Sequence, residues 1–147
     1  MNNYIEHYLG LTLHKIFVIY EMFKIIGKLF IRAFIHDYSK YGLYEASGFG
    51  KVTHKLKYTT YNSDYYKYLL EKIKPYIKHH YKINRHHPEH YQNGIDDMSI
   101  YDLLEMICDW KSSMRRHKDF ENFDTNIGIN KKRFDINEVL IKLIQNI

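Results

Sequence analysis

The pair His36-Asp37 is the first part of the chain whose side chains could do chemistry together. An imidazole nitrogen and a carboxylate oxygen can bind one metal ion, and a carboxylate can also bridge two ions. Three further groups of the same residue types occur: His14, the histidines of residues 79–87, and Asp109. The order of a His, a His-Asp pair, more histidines and a distant Asp indicates a metal-dependent hydrolase.

Helical phase separates the histidines of residues 79–87 from one another. His80 lies on the apolar face of a predicted helix, so we expect it to face the core as a metal ligand. The alternative is a core histidine that is only hydrogen-bonded. His79 falls on the polar face, where we expect solvent. One of His86 and His87 should supply another ligand, although phase does not choose between them and an exposed basic loop is the alternative.

For two other candidate ligands, Asp109 and His14, helical phase gives a less direct prediction. Asp109 lies at the margin of the apolar stripe of a later helix, and a buried carboxylate needs a partner, which we take to be a metal although Arg or Lys would also serve. Asp102 and Glu105 lie on a similar face of that helix, and we expect their side chains to form a solvated edge of it. His14 is in phase with the polar stripe of the first predicted helix, so phase alone points it toward water.

The composition favours a folded protein rather than a disordered one. Of 147 residues 45% are hydrophobic, with 7 glycines and 2 prolines, which predicts a single domain over residues 1–147. The lone Cys108 excludes an internal disulfide and a Cys-rich zinc site, and no signal-peptide pattern is seen, so we expect a cytoplasmic protein. Residues 16–35 are apolar but carry charges at helical spacing, which predicts an amphipathic helix and no membrane span.

The net charge of +5 raises the question of a nucleic-acid partner. The lysines are scattered along the chain instead of forming one block, so charge alone identifies no partner, although it would attract phosphorylated substrates.

Helical spacing of apolar residues predicts an all-α protein, a single-domain bundle of about five to seven helices. Residues 48–62 look like an exposed excursion, residues 86–88 are predicted to be non-helical because of Pro88, and residues 117–130 look like a polar loop. The predicted helices cover residues 12–33, 63 or 64 to 73, a third that starts at 97 or 99, and 135–145. Pro75 either kinks the second of these or opens a new turn that leads to His80.

Together these residues resemble the HD-domain superfamily of metal-dependent phosphohydrolases. That superfamily has a first His, a His-Asp pair, often further histidines, and a late Asp on a helical bundle. Lys40, three residues after the pair, is similar to a lysine that contacts phosphate in some members; a surface lysine is the alternative. The ligands that the resemblance implies are His14, His36, Asp37 and Asp109 for a first metal, and His80 with His86 or His87 for a second.

More narrowly, the chain resembles an uncharacterised HD-like family of bacteria, phages and large DNA viruses, over roughly residues 4–115. The histidines of residues 80–87 are closer together in the chain than in better-understood two-metal members. The resemblance therefore does not decide whether the site binds one ion or two. Membership of that family would imply the fold and metal binding, but it would not identify a substrate. For a viral protein the compartment would be the host cytoplasm. The matching motifs are residues 14–15, 36–40, Glu45, 80–89 and 105–110.

The leading hypothesis is a phosphohydrolase that acts on a nucleotide or other small phosphate ester through a metal-bound hydroxide. Asp37 and Lys40 would be catalytic, Lys40 and Arg85 would neutralise phosphate oxygens, and Asn84 would orient a ligand or contact the substrate. The cofactor would be one or two ions of Mn, Fe, Zn or Co. The alternatives are an HD-like di-iron oxygenase and a non-catalytic basic helical module that binds nucleic acid. The substrate and the oligomeric state are not predicted.

Overall fold

The protein is all-α, as the sequence predicts. The computed structural model describes residues 3–115 and 123–146, and these ranges contain α-helices, short 3₁₀ turns and connecting segments but no strand. Eight α-helices occur there, one more than the upper predicted number. They are α1 (Asn3–Ile35), α2 (Leu43–Phe49), α3 (Thr53–Lys57), α4 (Asp64–Lys72), α5 (Lys74–Ile83), α6 (Ile100–Met114), α7 (Phe123–Phe134) and α8 (Glu138–Gln145).

The chain divides into two compact units, Met1–Ile35 and His36–Ile147. The described part of the first unit is the single helix α1, which has 33 residues and extends beyond the predicted residues 12–33 at both ends. None of the helices in the described ranges combines the length and the apolar character that a membrane crossing requires. Whether the two units form one domain stays a prediction.

The second unit buries its apolar side chains in two clusters. The smaller cluster is Val52, Leu69 and Ile73, where α4 packs beside the segment that precedes α3. The larger one joins α6, α7 and α8, each of which contributes at least one buried isoleucine. Its buried members are Met98, Met106, Ile107, Ile127, Ile136, Ile141 and Ile144.

Side-chain caps explain where three of these helices begin. The hydroxyl of Ser63 accepts a hydrogen bond from the Tyr66 amide at the start of α4. Ser99 and Asp102 form a reciprocal capping box at the start of α6. The predicted starts of α4 and α6 are therefore confirmed. The last helix begins at Glu138 instead of Asp135, since Asn137 caps it.

Two predictions about loops are wrong in part. Most side chains of residues 48–62 are exposed, as predicted, but the segment is not a plain excursion, because Val52 is buried and α3 forms there. Gly48 allows this packing: a Cβ at that position would overlap the ring of Tyr76 on α5. The predicted loop 117–130 overlaps α7, whose Ile127 is buried in the larger cluster. Residues 117–122 lie outside the described residues.

Candidate metal centre

Three segments of the second unit carry the side chains of the candidate metal centre. The turn after α1 carries His36 and Asp37, and Asp37 has a left-handed backbone with φ 56° and ψ 17°. Helix α5 and the turn that follows it carry His80 and residues 84–87. Residues 86 and 87 are non-helical, as predicted, because the residue before Pro88 is extended with φ −101° and ψ 128°. Pro88 itself begins a short 3₁₀ helix, Pro88–His90. Helix α6 is the third segment and supplies further acidic side chains.

The first ligand group is Asp37 with three histidines, all of whose donor atoms lie within 4.8 Å of one another. Asp37 Oδ1 lies 3.2 Å from His80 Nε2 and 3.4 Å from His86 Nε2. The Nε2 atoms of His80 and His87 are 2.9 Å apart. The prediction that His80 faces the core is confirmed, and the exposed-loop alternative for residues 86–87 is wrong for His86, because His80 and His86 are both only 2% exposed.

Two atoms of this group are buried without a hydrogen-bond partner among the described residues, Asp37 Oδ1 and His86 Nε2. Leaving a buried polar atom unsatisfied costs about 1–3 kcal/mol, more when the group is charged. The two atoms lie on facing residues of one group, and a cation bound between them would satisfy both. The residues present therefore fit a metal ion.

The second ligand group is His36, Asp37 and Asp109. His36 Nε2 lies 3.5 Å from Asp37 Oδ2 and 3.5 Å from Asp109 Oδ1. Asp37 thus directs Oδ1 toward the first group and Oδ2 toward the second. A carboxylate with one oxygen in each of two ligand sets has the geometry of a bridging ligand.

Two carboxylates lie behind the histidines. Glu105 Oε1 is 2.9 Å from His36 Nδ1 and 3.1 Å from His86 Nδ1. Glu45 Oε2 is 3.0 Å from His80 Nδ1, and Glu45 Oε1 is 2.8 Å from His79 Nδ1. A carboxylate that accepts the Nδ1–H of a histidine holds the ring so that Nε2 can bind a metal. Although Glu105 could also be grouped with His36 and His86 as a ligand, these distances are those of hydrogen bonds.

Sequence reasoning missed the roles of these carboxylates. The predicted solvated edge of α6 is wrong, since Asp102 is fully buried in its capping box and the Glu105 side chain is only 12% exposed. One signal could have located Glu105: it lies four residues before Asp109, and residues four apart share a helix face. Glu45, which is 1% exposed, belongs to the motifs that resemble the HD-like family, but the sequence predicts no role for it.

The predicted substrate-binding residues lie around the same groups. Lys40 Nζ donates to Asp37 Oδ2 at 2.5 Å. The Asn84 amide donates to the Ser39 hydroxyl at 2.8 Å and to the His80 carbonyl at 2.9 Å. These bonds fit the predicted role of orienting a ligand better than the alternative of contacting the substrate. Arg85 is 55% exposed and pairs with Asp102 at 3.4 Å.

His14 lies on α1, in the other unit, with an exposed side chain. Among the residues that the structure describes, the three groups of candidate ligands all lie between His36 and Asp109, in the second unit. The ligand role of His14 therefore stays a prediction.

The charges of the site are strongly coupled. Hydrogen bonds with Asp109 and Glu105 raise the pKa of His36 to about 10, although burial opposes them. Burial, with the neighbouring His86 and His80, lowers the pKa of His87 to about 3, so His87 is neutral and offers a lone pair at neutral pH. Burial alone would raise the pKa of Asp37, but the adjacent imidazoles of His80 and His86 and the Lys40 charge hold it far below its usual range.

The donor atoms define the metals that the site suits. One group combines three imidazoles with a carboxylate, and the other combines one imidazole with two carboxylates. Mixed nitrogen and oxygen sets without thiolate suit Zn, Fe, Mn and Co rather than Ca or Cu(I). Binding to the second group would release a proton from His36, because only a neutral imidazole can be a ligand.

Comparison with known proteins identifies the family of this all-α chain. Residues 3–147 match the Family of unknown function (DUF5662), and the chain belongs to it. No curated protein and no solved structure matches the chain. The relation to the HD-domain superfamily therefore stays a prediction.

Proposed function

We propose that the protein is a metal-dependent phosphohydrolase that acts on a nucleotide or another small phosphate ester. The observation that carries the proposal is Asp37, whose two oxygens face two separate groups of candidate ligands. Paired metal positions bridged by a carboxylate are typical of enzymes that hydrolyse phosphate esters.

The residues of the first group would hold one ion and those of the second group another. A divalent metal at such a site lowers the pKa of a water molecule and neutralises charge on phosphoryl oxygens. The chain's own contribution is to fix the donor atoms. Asn84 supports His80 and Ser39, while Glu45 and Glu105 hold the rings of three histidines.

Lys40 supports a phosphate ester as the substrate. Its ammonium lies against Asp37 Oδ2 and its side chain is 35% exposed, so it can turn from the carboxylate toward an anion beside the metal positions. A cation placed there would stabilise negative charge on the phosphoryl oxygens as it develops. Arg85 is a further exposed cation that could contact phosphate, although its guanidinium is already paired with Asp102.

Metal content and turnover test the proposal together. The untagged protein would be assayed by inductively coupled plasma mass spectrometry, and then for phosphate release from nucleotides and simple phosphate esters with Mn, Fe, Co or Zn. We expect one or two equivalents of metal and metal-dependent phosphate release. His87→Ala should lose both in part, whereas His54→Ala, an exposed histidine of α3, should change neither.

Two outcomes would contradict the proposal. Protein that takes up no metal even after reloading would favour the alternative of a basic module that binds nucleic acid. Stoichiometric iron with O₂ consumption and no phosphate release would favour the di-iron oxygenase.

A further inference from the structure

Glu105 contacts histidines of both ligand groups with one oxygen atom. Oε1 lies 2.9 Å from Nδ1 of His36, which belongs to the group with Asp109. The same oxygen lies 3.1 Å from Nδ1 of His86, which belongs to the group with His87. A carboxylate oxygen has two lone pairs and can accept both hydrogen bonds.

The geometry of the two rings follows from these bonds. When Nδ1 carries the proton and donates to Glu105, Nε2 is the atom left to bind a metal. His36 Nε2 then faces Asp37 Oδ2, and His86 Nε2 faces Asp37 Oδ1. The two rings also pack against each other with centroids 4.4 Å apart, so a shift of one ring disturbs the other.

Glu45 makes a different set of contacts. Its Oε2 accepts from the Ser39 hydroxyl at 2.9 Å and lies 3.0 Å from His80 Nδ1. Its Oε1 is paired with His79, which belongs to neither ligand group. Among the candidate ligands, Glu45 therefore contacts His80 alone.

We propose that Glu105 is a positioning residue shared by both metal positions, whereas Glu45 positions a ligand of only the first. This inference rests on the proposed function, since it assigns the residues that orient that site. Losing a carboxylate behind a ligating histidine typically weakens metal affinity about 10–100-fold. Loss of Glu105 should therefore weaken two binding steps, and loss of Glu45 only one.

Metal titration of matched variants measures this difference. Metal-free wild type, Glu105→Ala, Glu105→Gln and Glu45→Ala would be titrated with Zn²⁺ against a chromophoric chelator, which reports an affinity for each equivalent. We expect Glu105→Ala to weaken both equivalents about 10–100-fold and Glu45→Ala to weaken one. Glu105→Gln keeps an oxygen acceptor and should lie between wild type and Glu105→Ala. Glu71→Ala, an exposed carboxylate of α4, is the control.

Histidine ¹⁵N spectra give a second readout that needs no metal. Glu105→Ala should shift the Nδ1 signals of His36 and His86 and leave that of His80 in place, and Glu45→Ala should do the reverse. The Glu105→Gln variant serves the same purpose if the alanine variant does not fold.

The failures of the two proposals are distinguishable. A wild-type protein that binds no metal would refute the proposed function, and the spectra would still decide which histidines Glu105 holds. Glu105→Ala that weakens one equivalent or none, in a wild type that binds two, would overturn the shared role alone.

Discussion

Replacing Asp37 by asparagine removes the carboxylate whose two oxygens belong to the two ligand groups. The backbone of Asp37 is left-handed, with φ 56°. Asparagine adopts this conformation readily, whereas alanine does so at a cost of roughly 1–2 kcal/mol. Asp37→Asn therefore changes charge and donor atoms without straining the turn, and Asp37→Gly removes the side chain with equally little backbone strain.

The size of the effect follows from the number of ligands. A four-ligand metal site is worth roughly 10–16 kcal/mol, so one ligand accounts for about 2.5–4 kcal/mol, or about 10²–10³-fold in affinity. Asp37 contributes Oδ1 to one group and Oδ2 to the other. An amide has only one oxygen, and its NH₂ is not a ligand. Asp37→Asn should therefore lose at least one equivalent and weaken any that remains.

Titration of the metal-free protein with Zn²⁺, followed by mass spectrometric metal analysis after dialysis, measures both quantities. His54→Ala, which removes an exposed imidazole outside the ligand groups, is the control for unspecific metal binding by surface histidines. If Asp37→Asn and Asp37→Gly kept two equivalents with affinities within about threefold of wild type, less than one tenfold step of 1.4 kcal/mol, Asp37 would not be a ligand and the bridging argument would fail.

Three further predictions concern stability. Because its partners raise the pKa of His36 to about 10, the metal-free protein gains stability from His36 that is complete below the unfolded value near 6.5 and is lost as pH rises through 10. Urea midpoints in EDTA should fall over this window for wild type and stay flatter for His36→Gln; equal slopes would contradict the assignment. Gly48→Ala would push a methyl group into the ring of Tyr76 and should cost about 1–3 kcal/mol of unfolding free energy, whereas Gly10→Ala, with open space around it, should be neutral or stabilising. Ser99→Ala removes the capping box of α6 and should cost about 1 kcal/mol by urea unfolding; an unchanged midpoint would show that the cap contributes nothing.

Helical phase predicted the burial of His80 correctly, because an apolar stripe on a single helix determines which side faces the core. It could not choose between His86 and His87, which lie in a turn where side-chain direction depends on local backbone angles. Pro88 indicates only that this turn is not helical. In the structure both histidines belong to the same ligand group.

Helical phase wrongly predicted a solvated position for Glu105, because a residue at the edge of an apolar stripe is buried or solvated according to what packs beside it. The partners of Glu105 are His36 and His86, and the first of these lies 69 positions away in the chain. Glu45 is a similar case, since its partner His80 is 35 positions away.

The sequence by itself determined the all-α class, the caps that start α4 and α6, and the residue types of the candidate nitrogen and oxygen metal site. These properties depend on local spacing and side-chain chemistry, which a single chain displays directly. Only the tertiary structure decided which atoms face one another: that Asp37 divides its oxygens between two groups, and that Glu45 and Glu105 lie behind the histidines. These features are distances between the turn after α1, α5 and α6, and such distances exist only once the helices have packed.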